Sequence, residues 1–531
     1  MMRVPLTLTH FLERAGKVFG GVEIVSRLGD KSLHRYTCAD FYRRARQLAE
    51  GLQRAGLKRG DRVATLMWNH YAHYESYFGV IAAGGVMHTL NLRLAADDIA
   101  YIANHAQVRF LIVDDMLLPL AQQFLSKTQI ERVFVFSLSG KPVAEPYIDY
   151  ESLLALATGH FSYPEFDENE PCAMCYTSGT TGRPKGVVYS HRSQVLHSLT
   201  QALPDAIGIT GHDVMLPVVP MFHANAWGIP YVAAMLGMKM VFPGPFLHPD
   251  DLLPLLESEQ VTISAGVPTI WLPMAQMMEA NRGKWKFHPK LRLTVGGSAV
   301  PEAMIRAYAR LGIQIIQGWG MTETSPLATL SKITVQQESL SDDEKFSVLA
   351  KQGYPMPLVD IRTVDESGEQ PWGGESVGEI QVRGPWITGS YYAQPAPDNF
   401  SGDGWLRTGD VASIDRFGFV KITDRTKDLI KSGGEWISSV DLENAIMGHP
   451  AVLEAAVIAV PHRKWAERPL AVVVLRAGAT ANAQDIQTHL GQQFVKWMVP
   501  DAIEFVTAIP KTSTGKFLKT KLREQYGNWK W

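Results

Sequence analysis

Residues 176–187 of this 531-residue chain read Tyr-Thr-Ser-Gly-Thr-Thr-Gly-Arg-Pro-Lys-Gly-Val. The three glycines let backbone approach an anion closely. Thr177, Ser178, Thr180 and Thr181 can donate to phosphate oxygens, and Lys185 adds a compact positive charge. The run before the loop, Ala173 to Tyr176, is short and apolar, so the loop is expected to follow a strand. It is not a Walker A loop, because Gly186 rather than Ser or Thr follows Lys185 and the glycine spacing differs. Taken alone, the same stretch could also be a flexible Gly/Thr surface turn.

Around this loop the pattern is layered α/β. Phe41, Ala45, Leu48, Ala49 and Leu52 recur at helical spacing, and Arg62–Met67 reads as a strand with a helix after it. Phe110–Val113 is a further buried strand, after a helix over Ala96–His105. Strand–helix alternation predicts doubly wound sheets. Glu379–Arg383 predicts a β-rich subdomain. Beyond Asp424 the strands Glu454–Val460, Leu470–Leu475 and Ile503–Val506, with a helix over Ala483–Lys496, predict a compact α+β unit. The charged cluster Ser341–Lys345 is expected to be a solvated loop.

Composition narrows the class. Hydrophobic content of 46% and charged content of 20% are those of a soluble globular protein. A net charge of −2 argues against a nucleic-acid binder. The best apolar run, Ile229–Phe242, is too short to span a membrane and contains Lys239, and the first residues lack a sustained apolar signal region. A cytoplasmic enzyme is expected. Cys172-Ala-Met-Cys175 has the spacing of half a metal or redox site, but no second pair completes it, so both cysteines are expected to pack in the core.

Six further segments follow the loop in order: Pro220–Trp227, Gly296–Ala299, Gly318–Thr324, Gly404–Asp410, Asp424–Lys431 and Pro510–Lys516. With residues 176–187 they resemble the motif series of the adenylate-forming superfamily, which includes acyl-CoA synthetases, luciferases and peptide-synthetase adenylation domains. The resemblance runs from Thr177 to Lys516. It implies a large N-terminal domain (1–423) of doubly wound sheets plus a β-rich subdomain, a hinge (424–430), and a small mobile C-terminal α+β domain (431–531). A homodimer through the N-terminal domain is implied by resemblance only.

The resemblance also implies a site. Acyl-adenylate formation brings two anions together, so catalysis is mostly positioning and charge neutralisation. Thr177, Ser178, Thr180, Thr181 and Lys185 would hold the phosphates of ATP, and Thr180 and Glu323 would anchor Mg²⁺. Gly297, Ser298, Ala299, Gln317, Gly318, Trp319 and Thr322 would surround the adenine, with Trp319 stacking on it or, alternatively, serving as a core side chain. Asp410 suits a ribose diol, and Arg425 would brace the ribose or a phosphate. Lys516, His223, Glu323 and Thr322 would form the catalytic set. Lys427 takes the hinge position, and Lys431 and Trp436 fall where long-chain members contact nucleotide. Ser432-Gly433-Gly434 would let backbone approach the pantetheine of coenzyme A, the second co-substrate.

His223, Trp227 and Gly297 would face the acid. Apolar neighbours such as Leu216–Val219 and Val267–Trp271 favour an aliphatic tail, with a medium-chain fatty acid first and a long-chain one next. A short thioether acid such as 3-(methylthio)propionate is the alternative within the ligases. Two other classes share much of this pattern. A luciferase-type oxygenase would share the fold and the equivalent of Lys431, whereas a non-catalytic nucleotide-binding scaffold would be expected to lack Lys516 or Glu323.

Overall fold

The computed structural model describes residues 1–531 except 178–182, 426, 433–434 and 513–514. The expected alternation is present, running through strand Arg62–Leu66, helix Tyr71–Ala82, strand Val86–Thr89, helix Ala96–His105 and strand Val108–Asp114. These strands pair in parallel within a seven-stranded sheet. Pro171–Tyr176 joins it parallel to Val86–Thr89, and Gly186–Ser190 returns antiparallel beside it. The loop at 176–187 therefore closes a hairpin, and the helix His191–Ala202 starts only after the second strand.

A nine-stranded sheet forms a second layer. Its centre runs parallel from Glu23–Arg27 through Lys239–Phe242, Val214–Pro217, Ile263–Gly266 and Arg292–Val295 to Gln314–Gly320. The apolar run 229–242 is split between helix Ile229–Leu236 and strand Lys239–Phe242. Among the described residues no helix is long and apolar enough to cross a membrane. Helices Cys38–Arg54 and Tyr71–Ala82 pack together, with the Phe41 and Tyr74 rings stacked 4.3 Å apart. Ala45, Leu48, Ala49 and Leu52 are fully buried on that face. Each such leucine contributes about 1.5–3 kcal/mol. Cys172 and Cys175 are buried free thiols whose pKa values burial pushes up, as core residues should be.

The β-rich subdomain is an antiparallel sheet containing Asp360–Asp365, Gly378–Arg383, Leu406–Ile414 and Val420–Arg425. Its last two strands set Asp410 directly opposite Arg425. The C-terminal unit has a sheet built from Ile430–Ser432, Glu435–Ile437, Val452–His462, Ala466–Leu475 and Ala502–Phe505. Among the described residues its apolar clusters, drawn from residues 430–529, share no member with those of residues 6–422. Polar contacts join the two parts. The Ser439 N–H donates to Asp424 Oδ2 at 2.8 Å, and Arg523 pairs with Asp428.

Two sequence expectations fail. Ser341–Lys345 is not a loop but opens the helix Asp342–Leu349. Ser341 and Glu344 form a reciprocal capping box there, which outweighs the like charges of the first turn. The helix expected over Ala483–Lys496 ends at Leu490; Gly491 follows it, still right-handed with its N–H on the Gln487 carbonyl, and glycine at this point disfavours continuing the helix.

Candidate active site

The strand ends and loops of these sheets enclose a cavity of about 780 Å³. One wall comes from the base of the hairpin loop. The Thr177 N–H donates to the Lys185 carbonyl at 2.9 Å, and the Lys185 N–H returns to Thr177 Oγ1 at 3.1 Å. Ser178, Thr180 and Thr181 lie outside the described residues. The Lys185 ammonium donates to Asn399 Oδ1 at 2.7 Å and lies 4.7 Å from the centre of the Tyr391 ring.

Tyr391 links that lysine to a carboxylate, since its hydroxyl donates to Glu323 Oε1 at 2.8 Å. Glu323 sits in the short 3-10 turn Thr322–Thr324 after strand Gln314–Gly320. The turn is pinned by Tyr189, whose hydroxyl donates to the Thr322 carbonyl at 2.8 Å, and by the Thr388 N–H, which donates to the Glu323 carbonyl at 2.8 Å. Burial raises the Glu323 pKa; the Tyr391 bond and the Arg425 and Lys185 charges oppose that rise. A buried oxygen donor facing the cavity, with one carboxylate oxygen given no hydrogen bond among the described residues, fits a hard cation. Among the described residues no cluster of three His, Cys, Asp or Glu able to hold a metal is present.

Asp410 and Trp319 are coupled. The indole N–H donates to Asp410 Oδ2 at 2.9 Å, and Arg425 Nε donates to Oδ1 at 3.1 Å. Each carboxylate oxygen keeps a lone pair for a further donor. Trp319 is 8% exposed, packs in the main core and still lines the cavity, so it is both a core residue and a wall. An adjoining cavity of about 230 Å³ is bordered by Gly297, Ser298, Ala299, Gln317 and Gly318. Gln317 makes no free edge: its oxygen accepts from the Val300 N–H at 3.0 Å, and its amide donates to the Lys351 carbonyl at 2.8 Å. It braces the 296–300 loop.

Lys516 reaches this site from the C-terminal unit. Gly297 adopts φ +86°, which favours glycine; a Cβ there would crowd Val267 Cγ1 at 3.1 Å and would lie in ordinary contact, 3.7 Å, with Lys516 Cε. Burial and the Arg425 charge lower the Lys516 pKa from 10.5 to about 8, against the pull of Asp410 and Glu323. Burial and the Lys516 charge hold His223 near 3, so its imidazole is neutral at working pH. Lys427 is exposed and lines both cavities. Lys431 and Trp436 line neither, and face each other across a hairpin with the ammonium 5.3 Å from the ring centre.

The opposite wall is apolar, formed by Trp227, Ile207, Val295 and Leu327. Trp227 ends a left-handed turn in which Ala224, Asn225, Ala226 and Trp227 all have φ between 43° and 58°. Each such non-glycine residue costs on the order of 1 kcal/mol or more.

The chain matches the AMP-binding enzyme family over residues 12–392 and that family's C-terminal domain over 441–516. It belongs to the AMP-binding enzyme family. Among relatives of this AMP-binding enzyme, a long-chain-fatty-acid–CoA ligase of Thermus thermophilus is 49% identical, covering 100% of this chain and 97% of the relative. A medium-chain-fatty-acid–CoA ligase of Ectopseudomonas oleovorans is 42% identical, with 99% and 97% covered. The crystal structure of ATP-bound MatB from Rhodopseudomonas palustris superposes with a TM-score of 0.83 at 27% identity over 99% of both chains. Several residues of the site were not legible beforehand. Tyr391 lies in an irregular segment, Asn399 ends the 3-10 turn Pro397–Asn399, and Gln201 is in the last turn of helix His191–Ala202, none of them within a motif. Only their contacts reveal them.

Proposed function

We propose that this AMP-binding enzyme activates a medium-chain aliphatic acid, with Lys516, Glu323 and His223 at the reacting end and Trp227 beside the chain. The protein is an AMP-forming acid–coenzyme A ligase that uses ATP and Mg²⁺. A carboxylate oxygen attacks the α-phosphorus of ATP and the bond to pyrophosphate breaks; the coenzyme A sulfur then attacks the acyl carbonyl and AMP leaves. One observation carries the reading: a single cavity is lined by Lys185, Glu323 and Lys516 and also by the apolar wall of Trp227, Ile207 and Leu327.

In this reading Lys185 and the loop hydroxyls Ser178, Thr180 and Thr181 bind the pyrophosphate end. Glu323, with Thr180, holds Mg²⁺, whose charge offsets that of the polyphosphate. Asp410, held by both Trp319 and Arg425, takes the ribose together with Arg425. Lys516 neutralises charge between the carboxylate and the α-phosphate, a task suited to a flexible point charge. Neutral His223 borders the acyl carbonyl without adding repulsion to Lys516. Residues 424–430 serve as the hinge on which the C-terminal unit exchanges Lys516 for the 431–436 hairpin before thioester formation.

The test is a coenzyme A thioester assay over acids of graded length. A maximum at medium chain length is expected, with AMP and pyrophosphate formed stoichiometrically. Absence of both products with every acid would overturn the ligase reading, and a maximum at long chains would overturn the choice of acid.

The Lys516 pKa gives a pH test. The protonated ammonium is the active form, so kcat/KM for adenylation should fall as pH rises through about 8. Stability moves the other way. Between about 8 and 10.5 the unfolded chain binds that proton more tightly than the folded one, so this group favours folding as pH rises. Lys516→Arg should shift the fall to higher pH; an unshifted profile would exclude Lys516 as its source.

A further inference from the structure

The helix His191–Ala202 turns polar side chains inward against the acyl wall: His197 is 1% exposed and Gln201 is 2% exposed. Buried polar atoms without partners are uncommon and ask for a reason. Gln201 is half satisfied. Its Nε2 donates to the Trp227 carbonyl at 2.7 Å, whereas its Oε1 has no hydrogen-bond partner among the described residues. Exchanging the two ends of the amide would destroy the bond to Trp227, so the oxygen is the atom left over. Gln201 borders the large cavity.

His197 repeats the pattern one turn earlier. The Leu327 N–H donates to its Nε2 at 3.3 Å, which assigns the ring proton to Nδ1. Nδ1 is buried and has no partner among the described residues, and burial keeps the ring neutral. The two orphaned atoms are close together: a Cβ placed on Gly228 would lie 2.8 Å from His197 Nδ1 and 3.6 Å from Gln201 Oε1. An acceptor and a donor thus flank Gly228, and of the two residues Gln201 is the one that lines the cavity.

Contacts order this corner along the cavity. Lys516 abuts Gly297, the Trp227 ring lies 3.5 Å from a Cβ built on neighbouring Gly296, and Gln201 holds the Trp227 backbone. Gln201 therefore meets the acid beyond Trp227, away from the reacting carboxylate.

We propose that Gln201 selects the acid, favouring a chain that carries a hydroxyl at the depth of its orphaned carbonyl oxygen over an all-alkyl chain of the same length. The proposal rests on the acid–CoA ligase reading above. A hydroxyl donates to Gln201 Oε1. A methyl group at that depth returns no hydrogen bond and leaves the buried oxygen without a partner.

The experiment compares kcat/KM for AMP formation with linear acids of graded length and their terminal hydroxy analogues. In the wild-type enzyme one length should show an advantage for the hydroxy acid of about tenfold over the alkanoate. Gln201→Leu should abolish or invert that advantage, and because the ratio is taken within one variant, any general loss of activity cancels. Gln201→Met, unbranched and similar in length, serves if the leucine variant does not fold. Absence of any hydroxyl advantage in the wild type, or an equal advantage in the wild type and the variants, would overturn the proposal. AMP formation with none of the acids would instead overturn the ligase reading.

Discussion

Lys516→Ala should lower acyl-adenylate formation by about 10²–10³-fold, the range found when one preorganised charge-stabilising group is removed. The expectation follows from where the ammonium lies. It faces Asp410, Glu323 and Arg425, and its stem passes the bare backbone of Gly297. In the proposed adenylation two anions meet in this corner, and among the described residues exposed Lys427 is the other lysine that borders both cavities. Pyrophosphate exchange measures the first half-reaction alone. Thioester formation from supplied acyl-AMP needs no approach of two anions and should be largely retained. Equal loss in both half-reactions would remove Lys516 from its assigned role and point to a structural defect.

Gly320→Ala should destabilise the protein by about 3 kcal/mol or more and abolish adenylation with it. An added Cβ would lie 1.6 Å from the Pro326 carbonyl oxygen, and that oxygen already accepts from the Met321 N–H at 3.1 Å. Backbone cannot yield here as a surface side chain can. The turn over residues 320–326 would have to open, and it carries Thr322 and Glu323. The thermal midpoint and pyrophosphate exchange should fall together. Gly373→Ala, which meets nothing within 4 Å, is the control and should match the wild type. A Gly320→Ala protein with wild-type midpoint and exchange rate would show that the turn is far softer than its geometry implies.

The layered architecture was legible because its period is local. Helical spacing at Phe41–Leu52 and the apolar runs at Arg62–Leu66 and Val108–Asp114 are properties of neighbouring residues. Errors came where two local signals competed. The acids at 342–344 suggested solvent, but Ser341 three residues before Glu344 is a helix start. Gly491 ended a pattern whose apolar period continues. The site was legible only where a motif named a residue. Tyr391 bridging Lys185 and Glu323, Asn399 on Lys185 and the double duty of Trp319 depend on contacts between segments from 68 to more than 200 residues apart. Nothing in the local sequence encodes these pairings.

The left-handed turn at Ala224–Trp227 inverts the usual rule for substitutions. In most of the chain exchanging a side chain for glycine costs stability, but here glycine would relieve backbone held in a disfavoured region. The chain nevertheless carries two alanines, an asparagine and a tryptophan there. Relaxing the turn would loosen the indole on the apolar side of the cavity and the carbonyl that holds the Gln201 amide. A relaxed backbone and a firmly held cavity wall therefore pull in opposite directions at these four positions, and this chain carries the firmly held wall.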